Sequence, residues 1–157
     1  MSERYLTGGC QCGAVRFRAL RLGRASICHC RMCQKAFGGF FGPLVTAYDL
    51  EWTRGMPMHF ASSDKVRRGF CGTCGTPLTY EYGGPYEVAI GALDNPEVAA
   101  PVTQVNPADK LSFFDGLCAL PTRRPDEQPE AEAFKASLTS FQHPDHDTND
   151  WPVRVAR

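Results

Sequence analysis

Two short cysteine motifs decide the fold of this chain: Gly9-Cys10-Gln11-Cys12-Gly13 and Cys71-Gly72-Thr73-Cys74-Gly75. In an extended backbone, the two side chains of a Cys-x-Cys pair lie on one face because strand side chains alternate with a period of two. A Cys-x-x-Cys pair in a tight turn also brings its sulfurs together, and Gly72 and Gly75 permit such a turn. Thiolates are soft ligands that suit Zn²⁺. The four cysteines therefore predict a closed structural zinc site that ties the start of the chain to its middle.

A third motif, Cys28-His29-Cys30-Arg31-Met32-Cys33, supplies three more thiols within one local segment. Three protein ligands leave the fourth position of a zinc ion to water or substrate, which is typical of catalytic zinc sites. The sequence therefore predicts two zinc ions per chain, one of them structural. The other is a catalytic zinc held by Cys28, Cys30 and Cys33.

Three other interpretations of this motif stay open at the level of the sequence. His29 is a rival fourth ligand and the nearest candidate for a general base, although it points away if Cys28 and Cys30 share a face. The motif also fits a second structural site completed by His29, Cys118 or another residue. The third interpretation is a redox pair of Cys30 and Cys33, but the flanking sequence lacks the strand-then-helix pattern of a thioredoxin fold.

The remaining candidate side chains have no partner at ligand spacing. Cys118 stands alone and is predicted to be an ordinary buried thiol. Arg31 and Lys35 flank the three-cysteine motif, where they can offset its negative charge, meet a substrate carboxylate or remain solvated. The last group consists of histidines predicted to be ordinary surface or core residues: His59, His143 and His146.

The composition excludes several classes of protein. The chain has 157 residues, 17 Lys and Arg against 17 Asp and Glu, and 43% hydrophobic residues. Zero net charge argues against binding to nucleic acid, and the hydrophobic content suits a folded domain. No secretory signal or membrane-length apolar stretch is present, so we expect a cytoplasmic protein with no membrane partner. The chain has eight cysteines, seven of them before residue 75. In the reducing cytoplasm such cysteines favour metal binding over disulfides. Disulfides stay the alternative for a secreted form.

In the body of the chain, short segments rich in strand-forming residues alternate with turn residues. This pattern predicts a mainly β fold of antiparallel strands, arranged as a sandwich or a barrel. The predicted strands are Val15–Arg18, Leu44–Tyr48, Leu50–Thr53, Met58–Ala61, Leu78–Tyr82, Tyr86–Ile90 and Leu111–Phe114. Residues 1–120 are expected to form the zinc-binding domain. Residues 121–157 hold 5 of the 12 prolines and 12 charged residues. They are predicted to pack on the domain or to be partly disordered, with one short helix over Pro129–Leu138.

An ordered set of motifs resembles one known family. The set consists of Gly9-Cys-x-Cys-Gly-Ala-Val-Arg-Phe17, Cys28-His-Cys-x-x-Cys-Gln-Lys-x-x-Gly38, Ser62-Ser63, Arg68-Gly-Phe-Cys-x-x-Cys-Gly75 and Gly91-x-Leu-Asp-x-Pro96. These motifs, spread over residues 8–96, are similar to those of the glutathione-dependent formaldehyde-activating enzyme family, which also includes centromere protein V. The resemblance implies an Mss4-like zinc-binding fold. It also implies that Cys10, Cys12, Cys71 and Cys74 bind a structural zinc, and that Cys28, Cys30 and Cys33 bind a catalytic zinc.

The resemblance implies a zinc-dependent carbon–sulfur lyase that acts on a small thiol adduct. The expected reaction joins glutathione and formaldehyde to S-hydroxymethylglutathione, or is a related thiol reaction. An open zinc can deprotonate a thiol or polarise a carbonyl, and the sequence does not choose between the two. One alternative is a non-catalytic zinc module that binds a protein partner. The other is a redox or metal-handling protein.

Overall fold

The computed structural model describes residues 5–152, and this part of the chain contains ten short β-strands, two α-helices and several 3₁₀ turns. The helices are α1 (Arg31–Phe37) and α2 (Gln128–Ser137). The strands are β1 (Leu6–Gly9), β2 (Arg16–Ala19), β3 (Arg21–Cys28), β4 (Gly42–Tyr48), β5 (Glu51–Arg54), β6 (Met58–Ala61), β7 (Arg67–Phe70), β8 (Pro77–Glu81), β9 (Tyr86–Ala89) and β10 (Thr103–Val105). Within residues 5–152, neither α-helix has the length and apolar character needed to cross a bilayer.

The strands form two sheets whose neighbours are mainly antiparallel. The smaller sheet has the order β1-β2-β5, and the larger sheet has the order β10-β3-β4-β9-β8-β7-β6. In the described part of the chain β10 is the exception, because it runs parallel to β3 with Val105 opposite Cys28. This register lays the residues that follow β10 beside the first cysteine of the three-cysteine motif. The prediction of a mainly β protein with cysteine clusters is confirmed.

Both sheets contribute to a single hydrophobic core. The side chains that are completely shielded from solvent include Phe17, Val45, Leu78 and Val88. Each contributes about 1.5–3 kcal/mol to folding through its burial. Phe17 of β2 also meets the ring of Trp52 of β5 edge-on, with centroids 5.9 Å apart. Cys10, Cys12 and Cys71 belong to the same buried cluster, whereas Cys74 is exposed, so three of the four thiols are built into the core.

The two helices differ in how well the sequence predicts them. Helix α2 agrees with the predicted Pro129–Leu138 within one residue at each end. Helix α1 was not predicted, because its seven residues make only about two turns and show no 3.6-residue period. It begins where the Cys30 sulfur accepts a hydrogen bond from the backbone N–H of Cys33. It ends at Gly38, whose φ of 62° favours glycine.

The predicted strand Leu111–Phe114 is wrong, because this segment forms a turn that leads into a 3₁₀ helix. Its aromatic residues pack against rings that follow α1 instead of joining a sheet. Phe113 meets Phe40 with centroids 5.1 Å apart, and Phe114 meets Phe41 at 5.6 Å. Strand propensity measures how well a side chain fits a half-buried surface, and an aromatic cluster offers such a surface without strand pairing.

The segment after α2 returns to the body of the protein at the first cysteine motif. None of the residues of α2 is buried, whereas His143 is almost completely buried. The backbone N–H of His143 donates to the carbonyl oxygen of Gln11 at 2.7 Å, and the indole N–H of Trp151 donates to that of Cys12 at 2.9 Å. Residues 153–157 of the predicted extension lie outside the described residues, and the division of the chain at residue 120 stays a prediction.

Candidate metal centres

The first cluster of thiols joins two turns that are far apart in the sequence. Cys10 and Cys12 lie between β1 and β2, and Cys71 and Cys74 lie between β7 and β8. The four sulfurs lie within 4.8 Å of one another. The Sγ atoms of Cys10 and Cys12 are 3.6 Å apart, and those of Cys12 and Cys71 are 3.8 Å apart. A tetrahedral zinc with bonds of about 2.3 Å requires sulfurs about 3.8 Å apart, so this cluster fits the metal.

Both pairs of cysteines are presented by tight turns. The N–H of Gly13 donates to the carbonyl oxygen of Cys10 at 3.1 Å, and the N–H of Gly75 donates to that of Cys71 at 2.8 Å. Gly13 and Gly75 have φ angles of +76° and +77°, which favour glycine. The expectation of an extended Cys-x-Cys backbone is therefore wrong for Cys10 and Cys12. A turn brings the two sulfurs together as effectively as strand alternation would.

The thiols of this cluster accept hydrogen bonds from neutral groups. The N–H of Val15 donates to the sulfur of Cys10 at 3.2 Å, and the hydroxyl of Thr76 lies 3.1 Å from the sulfur of Cys74. Burial raises the pKa of the Cys10 and Cys12 thiols. Burial also acts on Cys74, but hydrogen bonds involving Thr76 outweigh it and lower the pKa of this thiol to about 6. Because metal binding requires thiolates, it must displace protons here and become tighter as the pH rises.

The second cluster consists of three thiols at the junction of β3 and α1. Cys28 is the last residue of β3, Cys30 immediately precedes α1, and Cys33 lies in the first turn of that helix. Their sulfurs lie within 4.8 Å of one another. Cys28 and Cys33 are buried, whereas Cys30 is partly exposed, so the cluster faces solvent on the Cys30 side. A set of three soft donors fits a zinc ion with one coordination position left over.

Each thiol of the second cluster accepts a hydrogen bond from a different kind of N–H donor. The side-chain amide of Asn106 donates to Cys28 at 3.3 Å. The backbone N–H of Cys33 donates to Cys30 at 3.4 Å, and the guanidinium of Arg68 donates to Cys33 at 3.3 Å. Outer contacts of this kind orient metal ligands and tune the metal.

The pKa shifts of two of these thiols have opposite signs. Burial opposes ionisation of Cys28, but hydrogen bonds from the Cys30 backbone and the Asn106 amide lower the pKa of this thiol overall. Burial raises the pKa of Cys33 to about 12, although the hydrogen bond and the charge of Arg68 act in the other direction. Burial is therefore the largest influence on Cys33, and the arginine offsets only part of it.

His29 lies between the cysteines, but its imidazole is turned away from them. The ligand atoms that converge here are the three sulfurs, and the group does not include His29. Its Nε2 lies 2.8 Å from the amide oxygen of Gln104, and its ring packs edge-on against Phe114 with centroids 4.7 Å apart. This geometry opposes the interpretation of His29 as the fourth ligand. The Nε2 atom of His29 is already paired with Gln104. The other ring nitrogen, Nδ1, is buried and has no hydrogen-bond partner among the described residues.

The structure gives a place beside the second cluster to residues for which the sequence analysis predicted no role there. Arg68 and Asn106 touch the cluster directly, and Gln34 of α1 donates to the carbonyl oxygens of His29 at 2.6 Å and Asp109 at 3.2 Å. Gln34 thereby fixes α1 against the loop after β10. Arg68 lies in the strand that directly precedes the turn of Cys71 and Cys74. Its burial would have indicated a role beside a metal site, but the sequence alone does not reveal that it is buried.

The other candidate residues lie outside both clusters. Cys118 is exposed in the 3₁₀ segment Phe114–Ala119, so the expectation of a buried thiol is wrong. Four of the six residues of this segment, Cys118 among them, are exposed, and none of the six is buried. His59 pairs with Glu81, with Nε2 and Oε1 2.9 Å apart. All eight cysteines carry free thiols, contrary to the disulfide alternative.

A cavity of about 510 Å³ adjoins the outer face of α1. Its residues combine two cations of α1 with apolar side chains: Arg31, Met32, Lys35, Ala36, Phe60, Ala61 and Ser62. Arg31 also donates to the side-chain oxygen of Gln34. The cavity can therefore hold a molecule that carries a carboxylate, within reach of the helix that bears Cys33.

The fold and the two clusters define a mainly β protein with two groups of thiols at metal-ligand spacing. A sequence model of the glutathione-dependent formaldehyde-activating enzyme family matches residues 5–108. This match covers more than half of the chain, and the chain belongs to this family. None of the curated proteins matches it.

A solved structure supports the fold. The crystal structure of a Rhodobacter sphaeroides protein, determined as a structural genomics target, is 24% identical and superposes with a TM-score of 0.51. The match covers 64% of this chain and all of that protein. At this level of identity the likeness shows a shared fold alone.

Proposed function

We propose that this protein is a zinc-dependent enzyme of carbon–sulfur bond chemistry. It forms S-hydroxymethylglutathione from glutathione and formaldehyde, or carries out a related addition of a small thiol to an aldehyde. The observation that carries this proposal is the unequal number of thiols at the two centres, four at one and three at the other. Membership of the family supports the chemistry of thiol and aldehyde.

The two clusters have different roles in this proposal. The first binds a structural zinc through Cys10, Cys12, Cys71 and Cys74. The second binds the catalytic zinc through Cys28, Cys30 and Cys33. Zinc at the second centre would supply a free coordination position that favours a thiolate or polarises a carbonyl. Partial exposure of Cys30 gives a substrate access to this centre.

Residues of the chain itself would hold the substrate. Glutathione carries two carboxylates, and the cations of Arg31 and Lys35 line the cavity beside α1. Charge-assisted hydrogen bonds to a carboxylate are about twice as strong as neutral ones. This arrangement would keep the thiol end of the substrate near the second cluster and shorten its search for the aldehyde. Free cysteines agree with a reducing cytoplasm as the place of action.

The substitution Cys33→Ser tests the catalytic role of the second cluster. It removes one of three ligands, so we expect turnover to fall by about 100-fold or more, beyond the 10–100-fold typical of changes to outer contacts. The rate of exchange between formaldehyde and glutathione, measured by NMR above the uncatalysed rate, gives the readout. Cys118→Ser is the matched control, because this exposed thiol lies outside both clusters. Turnover of Cys33→Ser equal to that of the control would contradict the proposal.

One observation favours the alternative of a zinc module that binds a protein partner. Strand β6 is the edge of the large sheet, and all four of its residues are exposed, including Met58 and Phe60. An exposed apolar edge strand is a typical place for another chain to dock. A protein that binds two zinc ions but shows no turnover with any small thiol would favour this alternative.

A further inference from the structure

Arg68 is a buried cation that forms no ion pair with a carboxylate of the described residues. It lies in β7 and is only 4% exposed. Its Nε donates to the hydroxyl of Ser62 at 3.0 Å, and its Nη2 donates to the sulfur of Cys33 at 3.3 Å. Its guanidinium lies 4.9 Å from the centroid of the Tyr80 ring. Among residues 5–152, no carboxylate oxygen lies within 4.0 Å of it.

A guanidinium in this position needs a negative charge nearby. Burying an unpaired charge costs several kcal/mol, and arginine does not lose its proton in proteins. The hydroxyl of Ser62 is neutral, and a cation–π contact contributes only about 0.5–2 kcal/mol. The remaining partner is the sulfur of Cys33. Because zinc is bound by thiolates and not by thiols, the charge that pairs with Arg68 arises when the second centre binds its metal.

The sum of charges shows what this pairing achieves. Three thiolates and one Zn²⁺ carry a net charge of −1, which the guanidinium brings to zero. An anionic sulfur in the fourth position then brings the total to −1, whereas without Arg68 the same step would reach −2. The four-thiol centre differs, since the donors described for it are neutral groups such as the Val15 N–H. Arg68 therefore lies beside the three-thiol centre, which would have a free coordination position, and not beside the four-thiol centre.

We propose that Arg68 is a positioning residue of the second metal centre, which holds Cys33 as a ligand and neutralises the centre so that it accepts a thiolate as its fourth ligand. This inference rests on the proposed function, because it takes Cys28, Cys30 and Cys33 as zinc ligands. It deepens that function by naming an anionic sulfur as the group that the centre selects. Ser62 assists by fixing the orientation of the guanidinium.

Cobalt(II) provides a test with a readout other than activity. Protein with both centres loaded with cobalt shows thiolate-to-metal absorption, and titration resolves the affinity of each centre. In Arg68→Met, which keeps most of the side-chain volume but not the charge, we expect the affinity of the three-thiol centre to fall by about 10–100-fold. We also expect added glutathione to perturb the cobalt spectrum of the wild type but not that of Arg68→Met. Arg68→Lys keeps the charge and should restore part of both effects.

The adjacent Arg67 supplies the matched control. It is exposed and pairs with Glu81, with Nε and Oε2 2.6 Å apart. Arg67→Met should therefore leave the affinities of both centres unchanged. If Arg68→Met does not fold, as shown by loss of the four-thiol cobalt spectrum, Ser62→Ala takes its place. This change should weaken the second centre in the same direction by a smaller factor.

The outcomes separate this inference from the proposed function. The role of Arg68 alone would be overturned if Arg68→Met bound cobalt and responded to glutathione as the wild type does. The same holds for Ser62→Ala if it replaces that variant. A wild type that binds one cobalt ion per chain would overturn both. Two cobalt ions with the expected loss in Arg68→Met, but no turnover in the wild type, would support the inference and contradict the enzymatic proposal.

Discussion

Replacing one ligand of the four-thiol centre should destabilise the whole protein, whereas replacing one ligand of the three-thiol centre should not. The four-thiol centre connects Cys12 to Cys71, which are 59 positions apart in the sequence. Closing a loop of this length in the unfolded chain costs about 4 kcal/mol in conformational entropy on the scale used for cross-links. The three-thiol centre closes only the local segment from Cys28 to Cys33, and its loss releases far less.

Cys71→Ser should therefore lose at least about 4 kcal/mol, because the metal binds only the folded chain and its binding energy is folding energy. A domain of this size has a total stability of about 5–15 kcal/mol. The melting temperature should fall by at least about 8–16 °C, at about 2–4 °C per kcal/mol. Thermal and urea denaturation followed by circular dichroism, in the presence of zinc, gives the measurement.

Two further variants make this prediction specific. Cys118→Ser controls for the loss of a thiol outside the clusters, and its stability should change by less than about 0.5 kcal/mol. Cys33→Ser should remain folded, with a smaller fall in melting temperature than Cys71→Ser, since it removes a buried contact of Arg68 but no link between distant segments. Equal destabilisation by Cys71→Ser and Cys33→Ser would refute the assignment of separate structural and catalytic roles.

The remaining predictions concern the segments that hold the four-thiol motif in place. Burial alone would raise the pKa of Asp94, but its hydrogen bonds with Arg16 at 2.6 and 2.7 Å lower it. The stability from this pair is therefore complete above about pH 4 and is lost as the pH falls through the folded-state pKa. Asp94→Asn should cost about 2 kcal/mol at pH 7, because Arg16 keeps its ion pair with Asp147. It should also flatten the acid branch of the stability curve; an unchanged acid branch would contradict this. Trp151→Ala removes the indole that donates to Cys12 and should cost about 2 kcal/mol, less than a fully buried tryptophan. It should also speed zinc loss to a chelator, and a release rate equal to that of the exposed Phe134→Ala would contradict this.

The sequence was sufficient to predict the grouping of the cysteines. Metal ligands must meet at fixed distances, so short spacings such as Cys71-x-x-Cys74 constrain the local geometry strongly. Six of the ten described strands, including Met58–Ala61, were predicted with bounds close to those observed, whereas β1, β3, β7 and β10 were not predicted. Local side-chain patterns are enough for these elements, because alternation and turn residues act over a few positions.

Contacts between distant segments could not be predicted in this way. Arg68 reaches Cys33 across 35 positions, and Asn106 reaches Cys28 across 78 positions. Asn106 arrives there only because β10 pairs in parallel with β3 and then turns at a φ of +53°. Neither the parallel pairing nor the burial of Arg68 leaves a local pattern, since both depend on the assembled sheet.

The sequence also could not predict whether isolated residues are exposed or buried. Cys118 was expected inside the protein on the basis of its residue type, but it is exposed in a segment whose ring of Phe114 packs against Phe41. His143 was expected to be an ordinary histidine, and it is buried against Trp151 with ring centroids 5.1 Å apart. The segment that carries both rings follows an exposed helix, and nothing in its composition indicates that it returns to the cysteine motif.

A crystal of the zinc-loaded protein soaked with glutathione tests the central claim most directly. We predict one ion enclosed by the sulfurs of Cys10, Cys12, Cys71 and Cys74. A second ion should be bound by Cys28, Cys30 and Cys33, with the glutathione sulfur as its fourth ligand. Four protein ligands around the second ion, or a single ion per chain, would contradict the account.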